Sequence, residues 1–128
     1  MAKKSIYGLL VDVENRKAEP VTLDGTLNGY YNALNCDCID IPRRVINGVE
    51  YSIVCDDEGL MVDSPKISAI DTDNEPSLVG NLFVAMDGGD GELRSLTEDE
   101  MHELRRHIAF IRTRNHPEGY FVLCDIEG

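Results

Sequence analysis

Val45-Ile46-Asn47-Gly48-Val49-Glu50-Tyr51-Ser52-Ile53-Val54-Cys55 is the stretch that decides the fold class. Asn-Gly is the pair that a two-residue type I′ turn favours, because both central residues take positive φ. Apolar residues on either side make that turn a β-hairpin. The second arm alternates, with Val49, Tyr51, Ile53 and Cys55 on one face and Glu50, Ser52 and Val54 on the other. Just upstream, Cys38-Ile39-Asp40-Ile41-Pro42 reads as a short strand. Just downstream, Asp56-Asp57-Glu58-Gly59 reads as a charged tight turn that returns into a strand at Leu60-Met61-Val62.

Working outward, Ile6 to Val13 is rich in β formers and reads as a first strand ending where Glu14-Asn15-Arg16-Lys17 turns polar. Asp24-Gly25-Thr26 offers N-cap chemistry, and Leu27, Tyr30, Tyr31 and Leu34 follow at helical spacing, so a helix is expected over 26–35 with both tyrosines in the core. From Asp63 to Ser77 prolines and acids interrupt any periodicity, which predicts a loop. Leu78 to Met86 is apolar enough for one central strand, with Gly80 marking a bulge or a close backbone approach. Thr97-Glu98-Asp99-Glu100 spells a capping box. Met101, Leu104, Ile108 and Ile111 then extend one apolar stripe toward Arg112 and Arg114, predicting a helix over 97–114, and Gly119 to Cys124 supplies a last strand. The expected fold is α+β: a single domain, residues 1–128, in which an antiparallel or mixed sheet of roughly five or six strands packs with two helices.

The chain has 128 residues and 42% hydrophobic residues, enough to bury about two thirds of its unfolded surface around one core. No apolar run approaches a membrane span and the N-terminus does not read as a secretory signal, so a cytoplasmic location is expected. The formal charge is −12. Residues 1–47 hold six acids and six bases, and residues 101–128 hold four of each. Between 48 and 100 there are fourteen acids against Lys66 and Arg94, so the middle carries the whole net charge. Such a balance argues against direct nucleic-acid binding, which needs an excess of Lys and Arg. A concentrated negative field instead speeds association with a basic partner.

Neither metal nor catalytic chemistry is well spelled. Cys36, Cys38, Cys55 and Cys124 lack zinc spacing, and the expectation is reduced, metal-free, mostly buried thiols. Asp71-Thr72-Asp73-Asn74-Glu75 begins like an EF-hand loop but has Pro76 where Gly is needed and Leu82 where Glu is needed. His102 and His107 lie on different helical faces, no nucleophile elbow or Walker loop is present, and Cys124 has no evident His partner. The reading is therefore of a protein that is not an enzyme, with no cofactor.

Leu9-Leu10-Val11, Asp24-Gly25-Thr26-Leu27, Ile53-Val54-Cys55, Asp57-Glu58-Gly59-Leu60, Leu78-Val79-Gly80-Asn81-Leu82-Phe83-Val84 and Leu96-Thr97-Glu98-Asp99-Glu100 follow one another in an order that resembles a family of small acidic proteins of unknown function. That family resembles cargo of phages, plasmids and conjugative elements of gut bacteria. The resemblance covers roughly residues 6 to 105 and implies no catalytic residue. It also implies a looser similarity to anti-CRISPR and antirestriction inhibitors, which occupy basic nucleic-acid channels. The expected function is thus an accessory protein whose Asp56, Asp57, Glu58, Asp63, Asp71, Asp73 and Glu75 bind a basic protein partner, such as a nucleic-acid-handling enzyme. The alternative is a small scaffold that binds a partner through its sheet edge or C-terminal helix, with the acids serving solubility.

Overall fold

The computed structural model describes residues 5–57, 66–89 and 91–127. The expected sheet of five or six strands packed with two helices is corrected: among the described residues the protein is mostly β, with one mixed sheet of 11 strands and two short helices. In chain order the elements are β1 (Ser5–Asp12), β2 (Lys17–Asp24), α1 (Leu27–Leu34), β3 (Ile39–Asp40), β4 (Arg43–Ile46), β5 (Val49–Asp56), β6 (Ile67–Asp71), β7 (Pro76–Val79), β8 (Leu82–Asp87), β9 (Leu93–Arg94), α2 (Glu98–Arg105), β10 (Ile108–Ile111) and β11 (Tyr120–Ile126). The main path runs β2-β1-β8-β5-β4-β11-β6-β7, with β3 beside β5, β9 beside β8 and β10 beside β11. Among the described residues every pair is antiparallel except β11 with β6.

The Asn-Gly turn forms as its residues dictate, with φ of 51° at Asn47 and 78° at Gly48 between the paired Ile46 and Val49. The alternation beyond it has a different meaning from the one expected. Tyr51, Ile53 and Cys55 enter the larger core, but Val54 is equally buried in a second cluster on the opposite face, and Ser52 is buried as well. Strands β1, β5 and β8 are the middle of the sheet and are covered on both sides. That is why β1 and β8 read as near-continuous apolar runs, and why Ser52 and Val54 of β5 are buried along with Tyr51, Ile53 and Cys55. On one face α1 lays Tyr30 and Leu34 over Ile6, Leu10, Val54, Phe83 and Ala85. On the other, Leu9, Val11, Ile53, Leu82, Val84 and Met86 share a core with Met101 and Leu104 of α2 and Tyr120, Val122 and Leu123 of β11.

Three local expectations are corrected, and one further strand is present. The polar start of residues 14–17 hid β2, an edge strand paired along the whole of β1, where Pro20 sits opposite Leu9; an edge strand tolerates a residue without N–H. The loop expected from 63 to 77 is instead occupied from Ile67 onward by β6 and the start of β7, a hairpin whose turn is closed by the Asp71 carboxylate, which accepts from the N–H of Asp73 and of Glu75 at 2.9 Å each. The single strand expected over 78–86 is broken at Gly80, where φ is 78°, so that β7 and β8 are separated in the strand order although only two residues join them. The helix expected over 97–114 ends at Arg105. Its capping box forms as read, but Ile108-Ala109-Phe110-Ile111 is a strand on β11, as β-branched and aromatic side chains favour once a partner strand is present.

Other expectations stand. The first strand lies at Ser5–Asp12 and the last at Tyr120–Ile126. Helix α1 is capped by Thr26, whose hydroxyl accepts from the Gly29 N–H, and it ends on Asn35 in the left-handed region. Tyr30 is buried but Tyr31 is only half-buried. The returning strand expected at Leu60-Met61-Val62 lies outside the described residues. No helix among the described residues is long and apolar enough to cross a membrane.

Candidate functional site

Pairing of β3 with the end of β5 sets Asp40 opposite Cys55 and Ile39 opposite Asp56. The Asp57 N–H then donates to the Cys38 carbonyl at 3.1 Å, holding the chain just past β5 against the start of β3. Across from this acidic corner runs β7. Between them lies a cleft of about 370 Å³ lined by Asp40, Cys55, Asp56 and Asp57 on one wall and Pro76, Ser77, Leu78 and Val79 on the other. Arg44 of β4 reaches the far wall, its Nε donating to Ser77 Oγ at 3.2 Å. A second cleft, about 380 Å³, shares Asp56 with Glu14, Asn81 and Lys66. There the Asn81 amide oxygen accepts from the Val13 N–H at 2.9 Å, tying the β1–β2 turn to the start of β8.

The predicted binding residues divide accordingly. Asp56 and Asp57 meet in the cleft, half-buried and exposed respectively, and they are joined there by Asp40, which the sequence pattern does not connect to them. The signal for Asp40 was local: a short strand before a hairpin, whose pairing partner the sequence does not name. Asp73 and Glu75 are exposed on the β6–β7 turn, one of them immediately preceding the β7 wall. Asp71 is turned inward onto the amides of its own turn and serves the hairpin. Glu58 and Asp63 lie outside the described residues.

The cleft is acidic, with Asp40, Asp56 and Asp57 beside the Cys55 thiol. Burial, reinforced by Asp40 and opposed by Arg44, pushes the Cys55 thiol up to about 11, so it stays protonated at neutral pH. Burial, and then the nearby Asp56, raise the Cys36 thiol as well. Neither Asp40 nor Asp57 has an ion-pair partner among the described residues. The expectation of mostly buried cysteines is corrected, since Cys55 alone is buried, Cys36 and Cys124 are half-buried and Cys38 is exposed. Two of the four lie on short connecting segments around β3, outside the sheet interior.

A second constellation escaped the sequence because its members are 17 or 18 residues apart. His107 Nδ1 donates to Asp125 Oδ2 at 2.7 Å, and Cys124 Sγ donates to the His107 carbonyl at 3.1 Å and contacts Asp125 Oδ2 at 3.4 Å. The trio has the composition of a nucleophile with its base, but not the arrangement. The thiol is bonded to a carbonyl rather than to the imidazole, and burial together with Asp125 holds it up at about 11. It joins α2 to β11.

The chain belongs to the family described as Domain of unknown function (DUF3846), which it matches over residues 6–109. No curated protein and no solved structure matches it.

Proposed function

We propose that this member of a family of unknown function is a non-enzymatic accessory protein that binds a basic segment of a partner protein in the cleft between β3–β5 and β7. One observation carries the reading: Asp40, Asp56 and Asp57 converge on one wall of a cleft that a side chain can enter. Lys and Arg side chains suit such a site, because their apolar stems can lie along Leu78 and Val79 while their charged heads meet carboxylates. The excess of acids between residues 48 and 100 adds a long-range field that draws a basic partner in and repels nucleic acid. We extend the proposal to the partner's class, an enzyme of host defence with a basic nucleic-acid channel, and to an origin on a mobile element, on the strength of the resemblance drawn from the sequence motifs.

A fluorescently labelled deca-lysine peptide tests the cleft directly. Binding to the wild-type protein should be tighter than to the Asp40→Asn, Asp56→Asn, Asp57→Asn triple variant, and the difference should shrink as salt rises, since exposed charges are screened. Equal binding by both folded proteins at low salt would refute the cleft as the binding surface. A matched Asp73→Asn, Glu75→Gln variant reports how much of the attraction belongs to the general field.

A further inference from the structure

We propose that the outer edge of β10 is a second binding surface, one that takes an extended acidic segment of another protein as an added strand. Among the described residues β10 is paired on one side only, with β11. The His107 carbonyl accepts from the Cys124 N–H at 2.8 Å, which fixes the phase of the ladder. Antiparallel pairs alternate between bonded and non-bonded positions, so Ala109 and Ile111 bond to β11. The N–H and C=O of Ile108 and Phe110 therefore point away from it. That is a free template for another strand, and adding a strand supplies main-chain hydrogen bonds whatever the partner's side chains are.

The side chains around this edge select the partner. Phe110 and Phe121 are directly opposite each other and pack edge to face, with ring centroids 5.1 Å apart, yet they remain 44% and 37% exposed. The guanidinium of Arg112 lies 5.3 Å from the centroid of the Phe110 ring. Gly119 keeps the pair in place: a Cβ there would come within 2.5 Å of the Phe110 ring. Arg43, Arg94 and Arg106 are matched to carboxylates, and Arg16 holds the Glu118 and Gly119 carbonyls. Arg112 and Arg114, both exposed, make no ion pair or hydrogen bond among the described residues. An exposed aromatic pair with the Arg112 guanidinium over one ring, and exposed Arg114 two residues further along the chain, on an otherwise strongly acidic protein, is complementary to an acidic and partly apolar strand. A single-stranded nucleic acid could also use rings and arginines, but it would make no use of the free backbone edge and would meet the repulsion of the whole −12 charge. This surface is independent of the acidic cleft, which has the opposite charge.

The probe is a labelled peptide of alternating valine and glutamate, eight residues long, with a valine–lysine peptide and an oligothymidylate of matched length as controls. The valine–glutamate peptide should bind the wild-type protein and slow hydrogen exchange at the Ile108 and Phe110 amides. Binding should weaken at least tenfold in Arg112→Glu, Arg114→Glu, and recover most of its strength in Arg112→Lys, Arg114→Lys. Both positions are exposed, so these variants should fold, and Phe110→Ser provides a second, uncharged test that should also weaken binding. The proposal is overturned if the peptide does not bind, if charge reversal leaves binding unchanged, or if binding protects other amides than these. Tighter binding of the oligothymidylate would overturn it in favour of nucleic acid.

Discussion

His107 Nδ1 and Asp125 Oδ2 lie 2.7 Å apart, and this contact joins the end of α2 to an irregular point of β11 where Asp125 takes a φ of 64°. The hydrogen bond from the imidazole holds the Asp125 carboxyl below the usual carboxylate range. A lowered folded-state pKa means stability that is present above the ordinary carboxyl pKa and lost as pH falls through the folded value. Asp125→Asn keeps a residue that tolerates the left-handed region and removes the charge, so it should cost about 0.5–1 kcal/mol at neutral pH. Asp125→Val loses the bond and adds backbone strain, and it should cost about 2 kcal/mol or more. Urea unfolding of both variants measures the difference, and equal costs would remove the backbone from the account.

Glu100 gives a second acid-range signal. Its carboxylate accepts two hydrogen bonds from Arg94, both at 2.9 Å, and one from the Thr97 N–H at 2.8 Å. The Arg94 hydrogen bonds are the main reason its pKa falls to about 2. The stability it supplies should be full above pH 4.5 and fade between there and about 2. Glu100→Gln should lower stability by about 1 kcal/mol at pH 7. The gap between the two proteins should close as the pH is lowered, which thermal melts at a series of pH values will show.

Proline substitution separates the strand at 108–111 from the helix expected there. In a helix, proline at 108 and at 109 would be similarly disruptive. In β10 the Ala109 amide bonds to β11, and the Ile108 amide does not. Ala109→Pro should therefore cost about 3 kcal/mol, and Ile108→Pro should cost less in hydrogen bonding, though it also loses a half-buried side chain. Equal destabilisation, referenced to Ile108→Ala and measured by chemical denaturation, would contradict the register.

The acidic residues of the β6–β7 turn should behave unequally. Asp71→Ala leaves two amides without their acceptor and should cost about 1–2 kcal/mol. Asp73→Asn touches an exposed side chain and should stay within about 0.5 kcal/mol. Equal effects in a melting experiment would show that the turn does not depend on the Asp71 carboxylate.

Thiol reactivity follows exposure and thiolate fraction. Cys38 is exposed, whereas the Cys55 and Cys124 thiols are both held at about 11. Alkylation with iodoacetamide at pH 8, followed by peptide mass mapping, should modify Cys38 first and Cys55 last. Early loss of Cys124 would show that its bond to the His107 carbonyl opens readily in solution.

The features legible in the residues alone were local ones. Asn47-Gly48 could close only one kind of hairpin, since few residue pairs tolerate two consecutive positive φ values. Thr97 and Glu100 carry the start of α2 in their own side chains, and Thr26 does the same for α1. The division of charge was likewise plain, because it needs only counting. Tertiary structure decided the rest. Ile108 and Ile111 continue the helical stripe of Met101 and Leu104 as well as they fit a strand, and only the arrival of β11 resolves the choice. The polar face of β2 hid a strand whose stability comes from its pairing with β1, which no local pattern records. Asp40 joins Asp56 and Asp57 because β3 pairs with β5, and His107 joins Asp125 because β10 turns back onto β11. Those sites are made by contacts between segments far apart in the chain, and the free energy that selects such contacts belongs to the packed sheet, not to any one segment of it.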